Sequence, residues 1–214
     1  MAMLPHRWWI FALLVLATGM TSASTEPATD TAAIRAMIVE AEALGARDLA
    51  GAAALAERAS ARAESIGDRS LTIYAQLTWA DALLKARKLD EGDALLKRIE
   101  GTLGADTDAA TESRLVVLRA RWLRDLNRID EAEQAFVRAT TLAERSGDEG
   151  QLALVLNSHA AMKWRQGHPE DAMKMLERAL AINQRLEREG EAIKNLSYLS
   201  LIARDRGDYD LSLK

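Results

Sequence analysis

Few side chains in this 214-residue chain have the type and spacing to do chemistry. His6, His159 and His168 lie far apart, and no three metal-capable residues fall at a spacing that would bring them onto one ion. Cysteine is absent, which removes thiolate ligands, thiol nucleophiles and disulfides together. No glycine-rich phosphate loop, H-E-x-x-H helix or nucleophile elbow occurs. The acidic pairs Asp90-Glu91, Asp130-Glu131 and Glu170-Asp171 are conspicuous, but they return every forty residues. A hydrolase would place its two carboxylates once; a repeated pair marks a structural position. No catalytic residue, cofactor or metal site is expected, and the function class that remains is binding.

Those pairs sit inside a longer repeat. Arg165-Gln166-Gly167-His168-Pro169-Glu170-Asp171-Ala172 aligns forty residues on with Asp205-Arg206-Gly207-Asp208-Tyr209-Asp210-Leu211-Ser212. Stepping back by forty gives the segments at 125–132, 85–92 and 45–52, so five copies fall in register. Each reads as a helix, a turn of two or three residues, and a second helix that starts on the acidic pair. There the positive end of the helix dipole favours carboxylates. Pro169 is tolerated at the same place because a first-turn N–H has no helical partner. Small residues recur before the turn (Ala80, Ala120, Ala160, Ser200) and after it (Ala52, Gly92, Ala132, Ala172, Ser212), where paired helices must approach closely. Leu96, Phe136 and Leu176, with Leu83 and Leu123, supply the bulk between them. Gly67, Gly104, Gly147 and Gly190 are placed to end helices between copies. Copy one departs most, with Glu40 where a small residue is expected.

Composition agrees. Apolar residues make up 49% of the chain and aromatics 5%, with 3 prolines, and the prevalence of Ala, Leu, Arg and Glu favours helix. The net charge of −4 gives no footprint of a polyanion-binding protein, so no nucleic-acid partner is expected.

The turn motif and the small-residue columns resemble the tetratricopeptide repeat family over residues 31–214, as in Gly207-Asp208-Tyr209 and Gly167 to Ala172. The resemblance implies an all-α fold, a right-handed α-solenoid of stacked antiparallel helix pairs with about 4.5 repeats. It also implies a concave face lined by first helices that binds protein or peptide. Arg114, Arg121, Arg124, Asn157, Trp164, Arg165 and Arg204 are the candidate ligand-binding residues on that face. Arg114 and Arg121 are two helical turns apart and share a side. Guanidinium groups beside an indole suit an extended peptide carrying a carboxylate. The competing expectation is internal: Lys85, Asp125, Arg165 and Asp205 alternate in sign and would pair between neighbouring copies.

The N-terminus points to export. Arg7 precedes the apolar run Trp8 to Ala17, too short to span a bilayer, and Thr21-Ser22-Ala23 offers a cleavage site. Residues 1–23 are expected to be a signal peptide and 24–30 a linker, with membrane association only through that segment or one beyond Lys214. The fifth copy holds only the start of its second helix, with Leu211 and Leu213 uncovered. The expectations are self-association through that end and a place at the N-terminus of a longer protein. Export followed by long helical repeats resembles the periplasmic sensor half of bacterial diguanylate cyclases or histidine kinases; the alternative is a soluble periplasmic scaffold for envelope assembly.

Overall fold

A computed structural model describes residues 26–45 and 47–207, with side chains from Asp30 onward. All regular structure among them is helical: α1 (Glu26–Leu44), α2 (Leu49–Ser65), α3 (Arg69–Lys85), α4 (Leu89–Thr102), α5 (Ala109–Asp125), α6 (Ile129–Ser146), α7 (Glu149–Arg165), α8 (Pro169–Arg185) and α9 (Glu189–Arg206). From α2 to α9 every helix begins twenty residues after the last. The forty-residue repeat is therefore two equal half-steps, and odd-numbered helices are first helices while even-numbered ones are second.

From α3 to α8 the two kinds of helix start differently, whereas α2 is capped by Asp48 and α9 starts on Glu189 and Glu191 with no side-chain cap. The Asp68, Asp108 and Asp148 carboxylates accept the backbone N–H of Leu71, Thr111 and Gln151, capping α3, α5 and α7. The second helices α4, α6 and α8 have no side-chain cap and carry their acidic pairs in the first turn instead, so the dipole is met by charge rather than by a hydrogen bond. Seven of the helix ends share one device, while α4 ends on extended Leu103. Gly67, Arg87, Asn127, Gly147, Gly167, Glu187 and Gly207 all have positive φ. At α8, for example, Glu187 N–H reaches the Gln184 carbonyl and Arg188 N–H the Asn183 carbonyl, a Schellman closure.

Breaks near 47, 87, 127, 167 and 207 thus fall where the sequence places them. Two local expectations are corrected. Gly190 ends no helix; it lies in the first turn of α9, and Glu187 at φ 55° makes the left-handed closure. Residues 26–30, expected as linker, are helical, since Pro27 falls in a first turn, and Asp30 pairs with Arg62 of α2 at 2.5 Å. The signal-peptide expectation, Tyr209, Leu211, Ser212 and Leu213 lie outside the described residues. No helix among the described residues is long and apolar enough to cross a membrane.

Packing follows the small-residue columns. Ala52, Ala80, Ala120, Ala132, Ala160 and Ala172 are at most 1% exposed, and a Cβ added to Gly92 would stand 2.7 Å from Leu84 Cδ2. In copy one Glu40 is exposed and Ala41, one position on, takes the buried place. Replacing Ala120 by Leu should therefore overpack the α5–α6 contact and cost roughly 1–3 kcal/mol; an unchanged thermal melt would contradict the register.

Successive first helices touch directly, α1 on α3, α3 on α5 and α5 on α7, whereas second helices have no comparable contact with one another. First helices form the inner rail of the stack, and second helices fan apart on the outside. Two polar joints between copies are spaced by forty: Asp93 of α4 forms an ion pair with Arg119 of α5 at 2.5 Å, and Glu133 of α6 is hydrogen-bonded to His159 of α7 at 3.0 Å. His159 is 4% exposed and stacks on Phe136 at 5.0 Å. Burial pushes its imidazole below the ordinary 6.5, and Glu133 opposes this only in part. With the folded value below the unfolded one, this site is stability-neutral above about pH 6.5. Stability is lost as the pH drops below that, because the unfolded chain takes up the proton first. A His159→Gln variant should lose that acid limb in melts from pH 7 to 5; a limb unchanged in the variant would refute the assignment.

Candidate functional site on the inner face

On each first helix the positions i, i+4, i+7 and i+11 form one stripe. They read Tyr74-Thr78-Asp81-Lys85 on α3, Arg114-Leu118-Arg121-Asp125 on α5, Leu154-Ser158-Ala161-Arg165 on α7 and Lys194-Tyr198-Leu201-Asp205 on α9. Between α3 and α5 the stripe is knitted across the repeat. Arg114 stacks over the Tyr74 ring at 4.2 Å, donates to Glu42 Oε1 of α1 at 2.6 Å and to Thr78 Oγ1 at 3.1 Å. Burial would lower its pKa, but Tyr74 and Glu42 raise it above the ordinary value. Arg121 donates to Asp81, which also holds Lys85 at 2.6 Å. Burial alone would raise the Asp81 carboxyl; Arg121 and Lys85 together bring it below its ordinary value.

The turn end of the stripe is different. Asp125, with its side chain 7% exposed, accepts from Arg124 of its own helix at 2.9 Å and from Arg87 at 2.9 Å. Burial lowers the Arg124 pKa, Asp125 opposes it, and Arg121 and Arg165 lower it further. Three arginines from α5 and α7 therefore stand within electrostatic reach of one another. Among the described residues the ion pairs of Lys85, Arg87, Arg121 and Arg124 go to Asp81 and Asp125 alone. Arg165 is exposed and makes no ion pair among the described residues.

Of the seven expected site residues, the structure brings Arg121, Arg124 and Arg165 together. Trp164 neighbours them in sequence, half-buried against Ala160, Leu176 and Ile202 and edge-on to Tyr198 at 6.4 Å. Arg114 is committed to Glu42 two turns away. Asn157 accepts from Asn195, which in turn accepts from Asn183 at 2.8 Å. Arg204 is exposed on α9, apart from the cluster's pairings. The column expected to pair, Lys85 with Asp125 and Arg165 with Asp205, is shifted: Lys85 bonds Asp81 of its own helix, and Arg87 reaches Asp125 instead. Tyr74 (41% exposed), Leu154 (45%) and Tyr198 (40%) also face outward from these helices; the forty-residue columns contained them, but no charge drew attention to them. Asn195-Leu196-Ser197 is a glycosylation triplet whose Asn195 is fully buried, so the folded chain does not offer it. Among the described residues no group of three side chains could hold a metal.

Residues 111–185 match the family model described as tetratricopeptide repeat. Over those residues the chain is similar to tetratricopeptide repeats, and the helix pairs on either side of them continue the same fold. No curated protein matches the sequence. The BtubC (BKLC) protein of P. vanneervenii is similar in structure, with TM-score 0.60 and 20% identity over 89% of this chain and 79% of that one. The nearly identical TPR-like repeats of a Podosopora anserina chain described as a kinesin light chain give TM-score 0.54 and 13% identity, over 85% and 90%. A variant of that protein gives TM-score 0.55 at 14% identity, over the same shares. At these identities the likeness concerns the fold. Tetratricopeptide solenoids in general are scaffolds that bind through their extended surfaces.

Proposed function

We propose that this chain is a peptide-binding tetratricopeptide scaffold whose inner face takes an extended segment by an acidic group, seated over Arg121, Arg124 and Arg165. The observation that carries this is the charge imbalance there: Lys85, Arg87, Arg121 and Arg124 share two carboxylates, one of them buried, and Arg165 beside them makes no ion pair among the described residues. A guanidinium crowded by others gains from an incoming carboxylate, which it can hold by two hydrogen bonds. Trp164, Leu154 and Tyr198 then supply apolar area further along α7 and α9.

Arg165 separates binding from stability. Arg165→Glu should weaken binding of a fluorescein-labelled acidic peptide by at least tenfold while leaving the melt unchanged. Arg121→Glu should lower both, because it also breaks the pair with Asp81. Anisotropy indifferent to Arg165→Glu would end this reading. The setting is also a proposal: the apolar run after Arg7 supports export, and a periplasmic sensory scaffold of a larger signalling protein, with a diguanylate cyclase or histidine kinase output, is the reading favoured over a free envelope scaffold. Self-association is supported by Ile193 and Leu196, 62% and 49% exposed on α9. Their counterparts forty residues earlier, Ala153 and Leu156, are 1% and 4% exposed.

A further inference from the structure

The outer side of the stack holds two clefts, and none of the seven inner-face residues lines either. One, of about 370 Å³, lies between α6 and α8 over α7, lined by Val137, Thr140, Leu156, His159, Lys174, Met175 and Arg178 among others. The other, of about 480 Å³, lies between α4 and α6 over α5 and includes Glu100, Val116, Arg119, Gln134, Ala135 and Arg138. They are the same place in successive copies: Val116 corresponds to Leu156, Arg119 to His159, Gln134 to Lys174, Ala135 to Met175 and Arg138 to Arg178. Both exist because second helices fan apart.

Their chemistry is opposite. The α4–α6 cleft is satisfied from within. Arg119 crosses its floor to Asp93 and Glu100 at 2.5 and 2.9 Å, Arg138 donates to Glu112, and Glu131 adds a third carboxylate to the lining. In the α6–α8 cleft Thr140 stands where Glu100 was and Leu152 where Glu112 was, and no carboxylate lines it. Its floor is a buried imidazole already bonded to Glu133. The Thr140 and Thr141 hydroxyls donate to the carbonyls of Phe136 and Val137, which turns them away from acting as donors to a guest. Lys174 is exposed and makes no ion pair among the described residues; Arg178 reaches Glu144 at 2.8 Å with its side chain half in solvent. Val137, 53% exposed, stands at the mouth, and Met175 offers an adaptable apolar wall.

We infer that the α6–α8 cleft is a second, outward-facing binding site that takes a bulky apolar side chain from an acidic peptide segment. Charge complementarity fixes the partner's sign: Lys174 has no carboxylate partner among the described residues and Arg178 pairs only with Glu144, outside the lining, while the neighbouring copy fills the same place with its own carboxylates. The volume lies at the small end of ligand pockets and suits one side chain, not a folded surface. The site is separate from the inner-face cluster and does not rest on it.

The probe is a fluorescein-labelled peptide of sequence Asp-Glu-Leu-Phe-Asp-Glu, compared with versions carrying Lys for every acid or Ser for Leu and Phe. Anisotropy is measured against the full chain and four variants. Lys174→Glu and Met175→Glu, both on the cleft wall, should each weaken the parent peptide at least tenfold, with helicity by circular dichroism unchanged. Gln134→Glu, the same position in the neighbouring cleft, should leave this binding within twofold. Arg165→Glu should remove any inner-face component and leave a component that Lys174→Glu abolishes. The Lys and Ser peptides should not compete. Absence of any component sensitive to Lys174→Glu would overturn the proposal, and so would equal competition by the Ser peptide. Loss of all binding in Arg165→Glu would also overturn it, while upholding the inner-face reading.

Discussion

Replacing Phe136 by Ala should cost about 3–5 kcal/mol, the largest effect of any single truncation in the array. The ring is fully buried at the centre of the largest core cluster, among Ala139, Val155 and Ala132. It also lies parallel to His159 at 5.0 Å, so its removal opens a void beside a buried polar ring that depends on it for packing. The repeat supplies its own control. Leu96 and Leu176 occupy the same column in the flanking copies and are equally buried, so Phe136→Leu should cost much less, about 1 kcal/mol or a little more. Denaturant melts of the two variants would read the difference directly. A Phe136→Ala protein within 1 kcal/mol of the parent would mean that α6 does not seat on α7 as described.

Asn195→Ala should be the most damaging polar change, at about 1–3 kcal/mol. Asn195 bridges α8 and α7: it accepts from Asn183 and donates to Asn157. Asn183 is 1% exposed, so its amide would be left without partner or water, and leaving one member of a buried pair unsatisfied costs more than removing both. One copy earlier the same two places hold Ala143 and Val155, both buried. The double variant Asn183→Ala, Asn195→Val copies that solution and should recover most of the loss, a coupling visible in a double-mutant cycle of melts. Additive losses would show that the amides are not one network.

The fold was readable because the forty-residue step places small residues and acidic starts at fixed points, and both have a single physical meaning in a helix pair. The half-step of twenty was harder to see. Arg87 and Glu187 adopt positive φ with side chains that do not favour it, so the closures they make carry no glycine in the sequence, whereas Gly190 lies inside α9. On the inner face the residue types were right and several partners were displaced. Helical side chains lean back toward their own N-terminus, and a partner four residues away competes with one on the next helix. Lys85 accordingly took Asp81, and Arg114 took Glu42 across two copies. The outer clefts were illegible because they arise from a gap between second helices, which depends on how copies stack.

Settling of an acidic segment on the inner face at Arg165 and Arg124 should be visible in guanidinium Nε–Hε resonances during titration with an acidic peptide that lacks bulky apolar residues. The signals of Arg165 and Arg124 should move together with increasing peptide, while those of Arg114, held by Glu42 and Tyr74, and Arg119, held by Asp93 and Glu100, stay in place. Movement of Arg114 or Arg119 with Arg165 unperturbed would contradict it.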